Sequence, residues 1–292
     1  MEQRAVQERT RSAHMAGSTG SPATPAVVFE HVSLGFDEQL VLDDLSFELA
    51  KGSMTMLFGA SGSGKSLTLK LILGLLKPDS GAILVNGHRV DEMPEPELLK
   101  LRADLGLVFQ ENALFDSLTV AENVGYRLYE ETDTPAEEVR ARVEEVLGFV
   151  GLEEFVDRMP PTLSGGQRRR VGIARAMASR PNVLLFDDPT TGLDPVIASS
   201  VDDQIIKLRD LEQVTSVVVT HQIRDAFYIA EHEAVTRDGE ASIVDAAPEK
   251  AAQVEFMVLH QGRIYFRGTG PELLATEDAY LKEFLYRTLP PW

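Results

Sequence analysis

The most demanding stretch of this sequence is a junction: the apolar run Met54-Thr55-Met56-Leu57-Phe58 passes without a break into Gly59-Ala60-Ser61-Gly62-Ser63-Gly64-Lys65-Ser66. The octet fits G-x-x-x-x-G-K-S/T, a loop whose glycines let backbone N–H groups close around phosphate oxygens that side chains would keep away. Lys65 brings positive charge to the β- and γ-phosphates of a bound nucleotide, and Ser66 offers a hydroxyl to Mg2+. The apolar run reads as a buried strand, and Leu67 to Leu76 has the length and composition of a buried helix. That helix aims its positive dipole end at the same anion.

The rest of the chain supplies partners for such a strand. Apolar residues at Val139, Val143, Val146 and Leu147 fall at helical spacing, and a second helix is expected from Gly165 to Ser179. Strand-like Val183–Phe186 and Ser216–Val219 flank a helix near Val196–Leu211. Strands alternating with helices imply a mainly parallel sheet with crossover helices, so the fold class is α/β. Further strands are expected at Val27-Val28-Phe29 and between Leu40 and Leu49. Residues 1–26, polar and without apolar period, read as a disordered tail, within which Met15 is a candidate start. The polar segment from Arg237 to Gln253 interrupts a pair of strands and reads as a solvated surface insertion. Pro271 to Arg287 carries Leu273, Leu274, Tyr280, Leu281, Phe284 and Leu285 on roughly one helical face, which either packs on the protein's own core or docks to another subunit.

Two other strand ends carry chemistry. Val183-Leu184-Leu185-Phe186 ends in Asp187, a carboxylate that beside a phosphate loop holds Mg2+, and Asp188 follows it at once. Val217-Val218-Val219-Thr220 ends in His221. Adjacent carboxylates near a triphosphate can polarise an attacking water, whereas a lone histidine at a strand end more often has a structural job. The chain has no cysteine, which removes disulfides, thiolate metal sites and cysteine nucleophiles. With 28 Lys and Arg against 46 Asp and Glu, the net charge of −18 repels phosphate backbones, so nucleic acid is not expected as a partner. No apolar stretch approaches the roughly 18 residues of a membrane span, and no signal peptide is recognisable, so a soluble, cytoplasmic protein is expected.

Leu163-Ser164-Gly165-Gly166-Gln167 then selects among phosphate-loop classes, because it resembles the signature motif of ATP-binding-cassette (ABC) ATPases. It lies about a hundred residues after the phosphate loop and about twenty before Asp187, the order of that family. The resemblance covers about residues 27 to 270 and implies a RecA-like core with an antiparallel β subdomain and an α-helical signature subdomain at about 111–175. Residues 271–292 would form a C-terminal helical extension. It further implies that Phe36 stacks on adenine, an alternative to core packing, and that Gln110 senses Mg2+ and the attacking water. Asp194 matches the loop that crosses between cassettes, and His221 the switch histidine on the γ-phosphate. In the family, ATP is sandwiched between the phosphate loop of one subunit and the signature loop of another. With one cassette and no internal repeat, the chain should therefore pair with a second copy. One departure stands out: the family usually has Glu after the Mg2+ aspartate, and this chain has Asp188.

The resemblance places the protein on the inner face of the cell membrane, held there by integral permease subunits. The segment Glu111 to Asn123, with its Ala113-Leu114-Phe115 core, is similar to that of ATPases in MCE-type lipid transporters. Their further partners are an MCE substrate-binding protein and a STAS-domain protein. An importer of amino acids or other small solutes is the alternative, and a non-transport ABC protein a third reading.

Overall fold

The structure is a computed structural model that describes residues 24–37, 39–110, 113–237 and 239–288. Residues 1–23 of the expected tail lie outside the described residues. At the tail's inner edge Ala26 is already buried, donating to Leu49 O and accepting from Asn86 N, so ordered backbone begins before Val27.

Six strands form the central sheet: β3 (Met54–Gly59), β6 (Leu105–Val108), β7 (Val183–Asp187), β8 (Thr215–Val219), β11 (Val254–His260) and β12 (Arg263–Thr269). Their order is β12-β11-β3-β8-β7-β6, parallel throughout except for β12, which runs antiparallel to β11. All six residues of β3 and all five of β8 are buried, the continuous apolar pattern a sheet covered on both faces requires. Strand alternation divides β3 between two cores. Met54, Met56 and Phe58 face one apolar cluster, and Leu57 faces the other.

The second cluster is closed by a four-stranded antiparallel sheet, β2-β1-β4-β5, made of β1 (Val27–Phe36), β2 (Gln39–Leu49), β4 (Ser80–Val85) and β5 (His88–Arg89). In β2, buried Leu45, Phe47 and Leu49 alternate with exposed neighbours, the pattern of a sheet wet on one face. Helix α1 (Lys65–Ile72) buries Leu69, Leu71 and Ile72 in this cluster. Helix α2 (Glu95–Arg102) adds Leu98 and Leu101 to it.

The first cluster is filled by α3 (Val120–Glu131), α4 (Ala136–Phe149), α5 (Gly165–Ala178), α6 (Pro195–Leu211) and α7 (Ile223–Glu231). In α4 the residues at helical spacing, Val139, Val143, Val146 and Leu147, are the buried ones. A capping box between Thr119 and Glu122 starts α3. Among the described residues no helix is long and apolar enough to cross a membrane.

The segment expected as a solvated loop differs. Glu240–Asp245 forms β10, antiparallel to β9 (His232–Arg237), and Pro248–Ala251 forms α8. The flanking strands therefore do not pair with each other. Strand β9 takes β10, while β11 pairs with β3 and β12. The polarity misleads because the hairpin is largely exposed, with Ile243 packed against the first cluster. Lys250, at 2.9 Å from Asp210, ties α8 to the end of α6. Beyond α9 (Gly270–Leu274), α10 (Ala279–Thr288) buries Leu281 and Leu285 on the protein's own core and leaves Tyr286 81% exposed. Residues 289–292 lie outside the described residues.

Candidate functional site

Parallel strands all present their C-terminal ends at one edge of the sheet, the usual place for a ligand in an open α/β sheet. At that edge β3 delivers the glycine loop, β7 delivers Asp187 and Asp188, β8 delivers His221, and β6 delivers Gln110.

The glycine loop tolerates no side chain at two of its three glycines. A Cβ on Gly59 (φ 154°) would lie 2.5 Å from both Leu259 O and Ser63 Oγ. On Gly64 (φ 100°), which caps α1, it would lie 2.5 Å from a methyl of Leu42. Ser61 and Gly62 stand exposed at the crest. Lys65 is buried and its ammonium donates to Gly59 O (2.9 Å) and Ala60 O (3.0 Å), inside the loop itself. Burial pushes its pKa below the ordinary lysine value, against the pull of Asp188 and Asp187. Ser63 Oγ is buried without a hydrogen-bond partner.

Ser66 Oγ donates to Asp187 Oδ1 at 2.8 Å, bringing together two hard oxygen donors from α1 and β7. Burial raises the pKa of Asp187 above the usual carboxylate range, with the Ser66 hydrogen bond opposing and Asp188 adding to the rise. A divalent cation at this pair would favour its ionised form. Among the described residues no cluster of three or more His, Asp or Glu forms an all-protein metal cage. Mg2+ is held by one or two side chains together with substrate phosphates, and Ser66 and Asp187 supply two such side chains. A buried lysine, an orphaned hydroxyl, a glycine cradle and the Ser66–Asp187 pair thus match Mg2+ and a polyphosphate.

Asp188 adopts a left-handed backbone (φ 46°), a conformation aspartate tolerates better than most residues. Its amide donates to Val219 O at 2.8 Å, which pins it to β8. Its Oδ1 accepts from His221 N at 3.1 Å and lies 2.8 Å from His221 Nδ1. The histidine is exposed and the carboxylate is not. A lone strand-end histidine could have been structural; here it is coupled directly to the second carboxylate.

The remaining expected residues gather farther along the edge. Gln110 is exposed at the turn after β6, and residues 111 and 112 lie outside the described residues. Ser164 caps α5, accepting from Gln167 N at 3.2 Å while Gln167 Oε1 accepts from Ser164 N at 2.8 Å. Leu163 is buried beneath this cap. A Cβ on Gly166 would lie 2.2 Å from Ile197 Cγ2, and one on Gly165 3.5 Å from Leu193, so the start of α5 presses on the start of α6. Asp194 caps α6, accepting from Val196 N and Ile197 N, both at 3.1 Å. Phe36 ends β1 opposite Gln39 and is 45% exposed, which removes the core-packing alternative. Leu42, on the neighbouring strand, is the side chain that reaches Gly64.

Two functional candidates escaped the sequence reading. Arg169, 3% exposed in α5, reaches backbone on both sides of the site. Asp225 accepts from Thr190 Oγ1 at 2.5 Å, tying α7 to the turn two residues past Asp188. The triplet Arg168-Arg169-Arg170 looks like a solvated basic run, and only the phase of α5 distinguishes its buried member.

Comparison with known proteins agrees with this geometry. The family profile described as ABC transporter matches residues 42–191. The chain is 37% identical over 238 residues to an Fe(3+) ions import ATP-binding protein of Vibrio cholerae, covering 81% of this chain and 66% of that one, just under two thirds of its length. It is 40% identical over 248 residues to a methionine import ATP-binding protein of Nocardia farcinica, covering 81% and 74%. A dimeric post-hydrolysis cassette, MJ0796 bound to ADP and Pi, superposes with a TM-score of 0.69 at 30% identity, covering 83% of this chain and 98% of that one. The cbiO1 protein of Clostridium perfringens, described as part of a cbiONQ transporter complex, reaches a TM-score of 0.73 at 26% identity, covering 90% and 95%.

Proposed function

Because the chain belongs to the ABC transporter family, as an ATP-binding cassette, we propose that it is the ATP-hydrolysing subunit of a small-solute importer, acting as a pair of copies on a separate membrane permease. In this family the bound ligand is ATP with Mg2+, which neutralises phosphate charge during transfer. The observation that carries the proposal is the convergence, at one sheet edge, of Lys65, the Ser66–Asp187 pair and the Asp188–His221 pair.

Each group has a task its surroundings suit. The loop amides between Gly59 and Ser66 and the ammonium of Lys65 bind phosphate oxygens. Lys65 begins within its own loop, so binding exchanges two carbonyl acceptors for anionic ones. Ser66 and Asp187 hold the cation, and Gln110, exposed just past the end of β6 at the same sheet edge, senses it. Asp188 orients and polarises the attacking water. When Asp188 is ionised it only accepts, so Nδ1 of His221 carries the proton, and the imidazole in turn fixes the carboxylate. Aspartate is one methylene shorter than glutamate, and its Oδ1 is already engaged by His221, so hydrolysis is slow for this family. The cap at Ser164 and the exposed loop around Asp194 form the face offered to the second copy, and Phe36 lies free to stack on a base.

The cargo reading departs from the first expectation. The Ala113-Leu114-Phe115 stretch pointed to MCE-type lipid transport, but the relatives named above are import ATP-binding proteins for Fe(3+) and methionine. A short apolar segment after β6 does not by itself separate a lipid cargo from a small solute. Here Phe115 and Tyr126 pack together on the surface with ring centroids 4.7 Å apart, a face suited to a permease segment. Co-purification of the membrane complex with mass spectrometry of its bound small molecules tests the proposal. A hydrophilic solute is the expected finding; stoichiometric phospholipid would overturn the importer assignment.

A further inference from the structure

Arg169 sits in the first turns of the signature helix α5, 3% exposed, with no carboxylate bonded to it among the described residues. Its Nη1 donates to Phe109 O at 2.6 Å and its Nη2 to Thr191 O at 3.4 Å, while Nε is buried without a partner. Burial lowers its pKa from the ordinary arginine value, and the charge of Asp188 opposes that fall. Removing a guanidinium from water costs several kcal/mol unless an anion compensates, and an apolar side chain of similar volume would fill the space without that cost. Packing alone does not account for the charge.

The acceptors supply the reason. Phe109 O belongs to the peptide that leads into Gln110. Thr191 O lies midway between Asp188 and Asp194, three residues from each. Both carbonyls are in loops, and a guanidinium is a rigid planar fork whose two terminal nitrogens fix the separation of the groups they hold. The fork stands on the same helix whose first turn carries Ser164, Gly165 and Gly166. A shift of that helix therefore pulls on Gln110 and on the Asp188 loop together. By contrast, no hydrogen bond of Arg169 reaches the Gly59–Ser66 loop or Asp187.

We infer that Arg169 is a positioning residue for ATP hydrolysis, which makes the alignment of Gln110 and Asp188, but not the binding of nucleotide, depend on where the signature helix sits. The inference rests on the proposed ATPase function and adds to it a residue that acts through others.

The test compares wild type, Arg169→Met and Arg169→Lys for kcat, KM for ATP, affinity for a fluorescent ATP analogue in the presence of Mg2+, and melting temperature. Methionine keeps much of the volume and removes both charge and fork; lysine keeps the charge and one reachable carbonyl. Because misplacement by about 1 Å can cost on the order of 10²-fold, kcat of Arg169→Met is expected to fall by about tenfold or more. Analogue affinity should stay within about twofold, and Arg169→Lys should recover part of the loss. A kcat for Arg169→Met within about twofold of wild type overturns the inference. So does a loss of kcat matched by equal losses of affinity and melting temperature, which marks a core pin only. If Arg169→Met does not fold, the Lys variant decides alone: kcat reduced with affinity kept supports positioning, and an unchanged kcat overturns it. A wild type without turnover would bring down the proposed function itself, a result distinct from active variants.

Discussion

Replacing Asp202 by asparagine should stabilise the protein, and by more the higher the pH. Asp202 lies in α6, 2% exposed, with Oδ1 lacking any partner and with Asp225 and Asp203 as acidic neighbours. Burial, reinforced by those two carboxylates, raises its pKa from 3.8 to about 9. Below 3.8 the group is protonated whether or not the chain is folded, and its protonation adds no pH dependence. Between 3.8 and about 9 the unfolded chain loses the proton and the folded chain keeps it. The native state then binds more protons, and stability falls as pH rises, by about 1.4 kcal/mol per unit. By pH 7 the accumulated cost is on the order of 4 kcal/mol, and between pH 6 and pH 8 it grows by about 2.7 kcal/mol. Asparagine has nearly the same shape and no such titration. At roughly 2–4 °C per kcal/mol, the melting-temperature advantage of Asp202→Asn should widen by roughly 5–10 °C over that interval. Calorimetry or circular dichroism of both proteins without nucleotide, at about pH 6, 7 and 8, measures it. A gap independent of pH, or a variant less stable than wild type at pH 8, would refute the claim that Asp202 is buried as the neutral acid.

Other substitutions probe the site directly. Lys65→Ala should abolish measurable ATP-analogue binding and turnover while leaving the melting temperature within a few degrees, because it removes a buried, desolvated charge along with the phosphate contact. Retained binding in an equilibrium titration would count against the loop as the phosphate cradle. Gly166→Ala forces a methyl to 2.2 Å from Ile197 Cγ2, so about 1–3 kcal/mol of stability should be lost, and Ile197→Ala in the same chain should restore most of it in denaturant titrations. Asp188→Asn should stop turnover and Asp188→Glu should raise it by up to about 10²-fold if the shorter arm is what limits the rate. An Asn variant as fast as wild type would show that Asp188 is not the group acting on water.

The core of this site could be read from residue order because its chemistry is local. A glycine loop must follow a strand and precede a helix, so Gly59 to Ser66 located β3 and α1 together. Apolar strands ending in Asp187 and His221 announced β7 and β8, with β8 beside β3 and β7 next in order, since parallel strands meet their ligands at one edge. The pairing of His221 with Asp188 was not legible, because their 33-residue separation closes only when β7 and β8 lie side by side. Arg169 was hidden for the same kind of reason: its acceptors are backbone carbonyls 60 and 22 residues away, and carbonyls leave no mark in a sequence. The β9–β10 hairpin was missed because β10 is mostly wet and β9 buries only Ala234, so neither strand shows the apolar alternation that betrays a half-buried one. Cargo, finally, was not legible: Ala113-Leu114-Phe115 is only a short apolar stretch after β6, and nothing in it separates a lipid from a small solute.

In the proposed cycle ATP joins two copies of the chain through the Gly59–Ser66 loop of one and the Ser164 cap of the other. The most direct measurement is the mass in solution of Asp188→Asn, by light scattering, with and without ATP and Mg2+. One chain without nucleotide and two chains with it, the shift being lost in the Lys65→Ala, Asp188→Asn double variant, is the predicted result. An Asp188→Asn protein that binds the nucleotide at saturation and still has the mass of a single chain would contradict it.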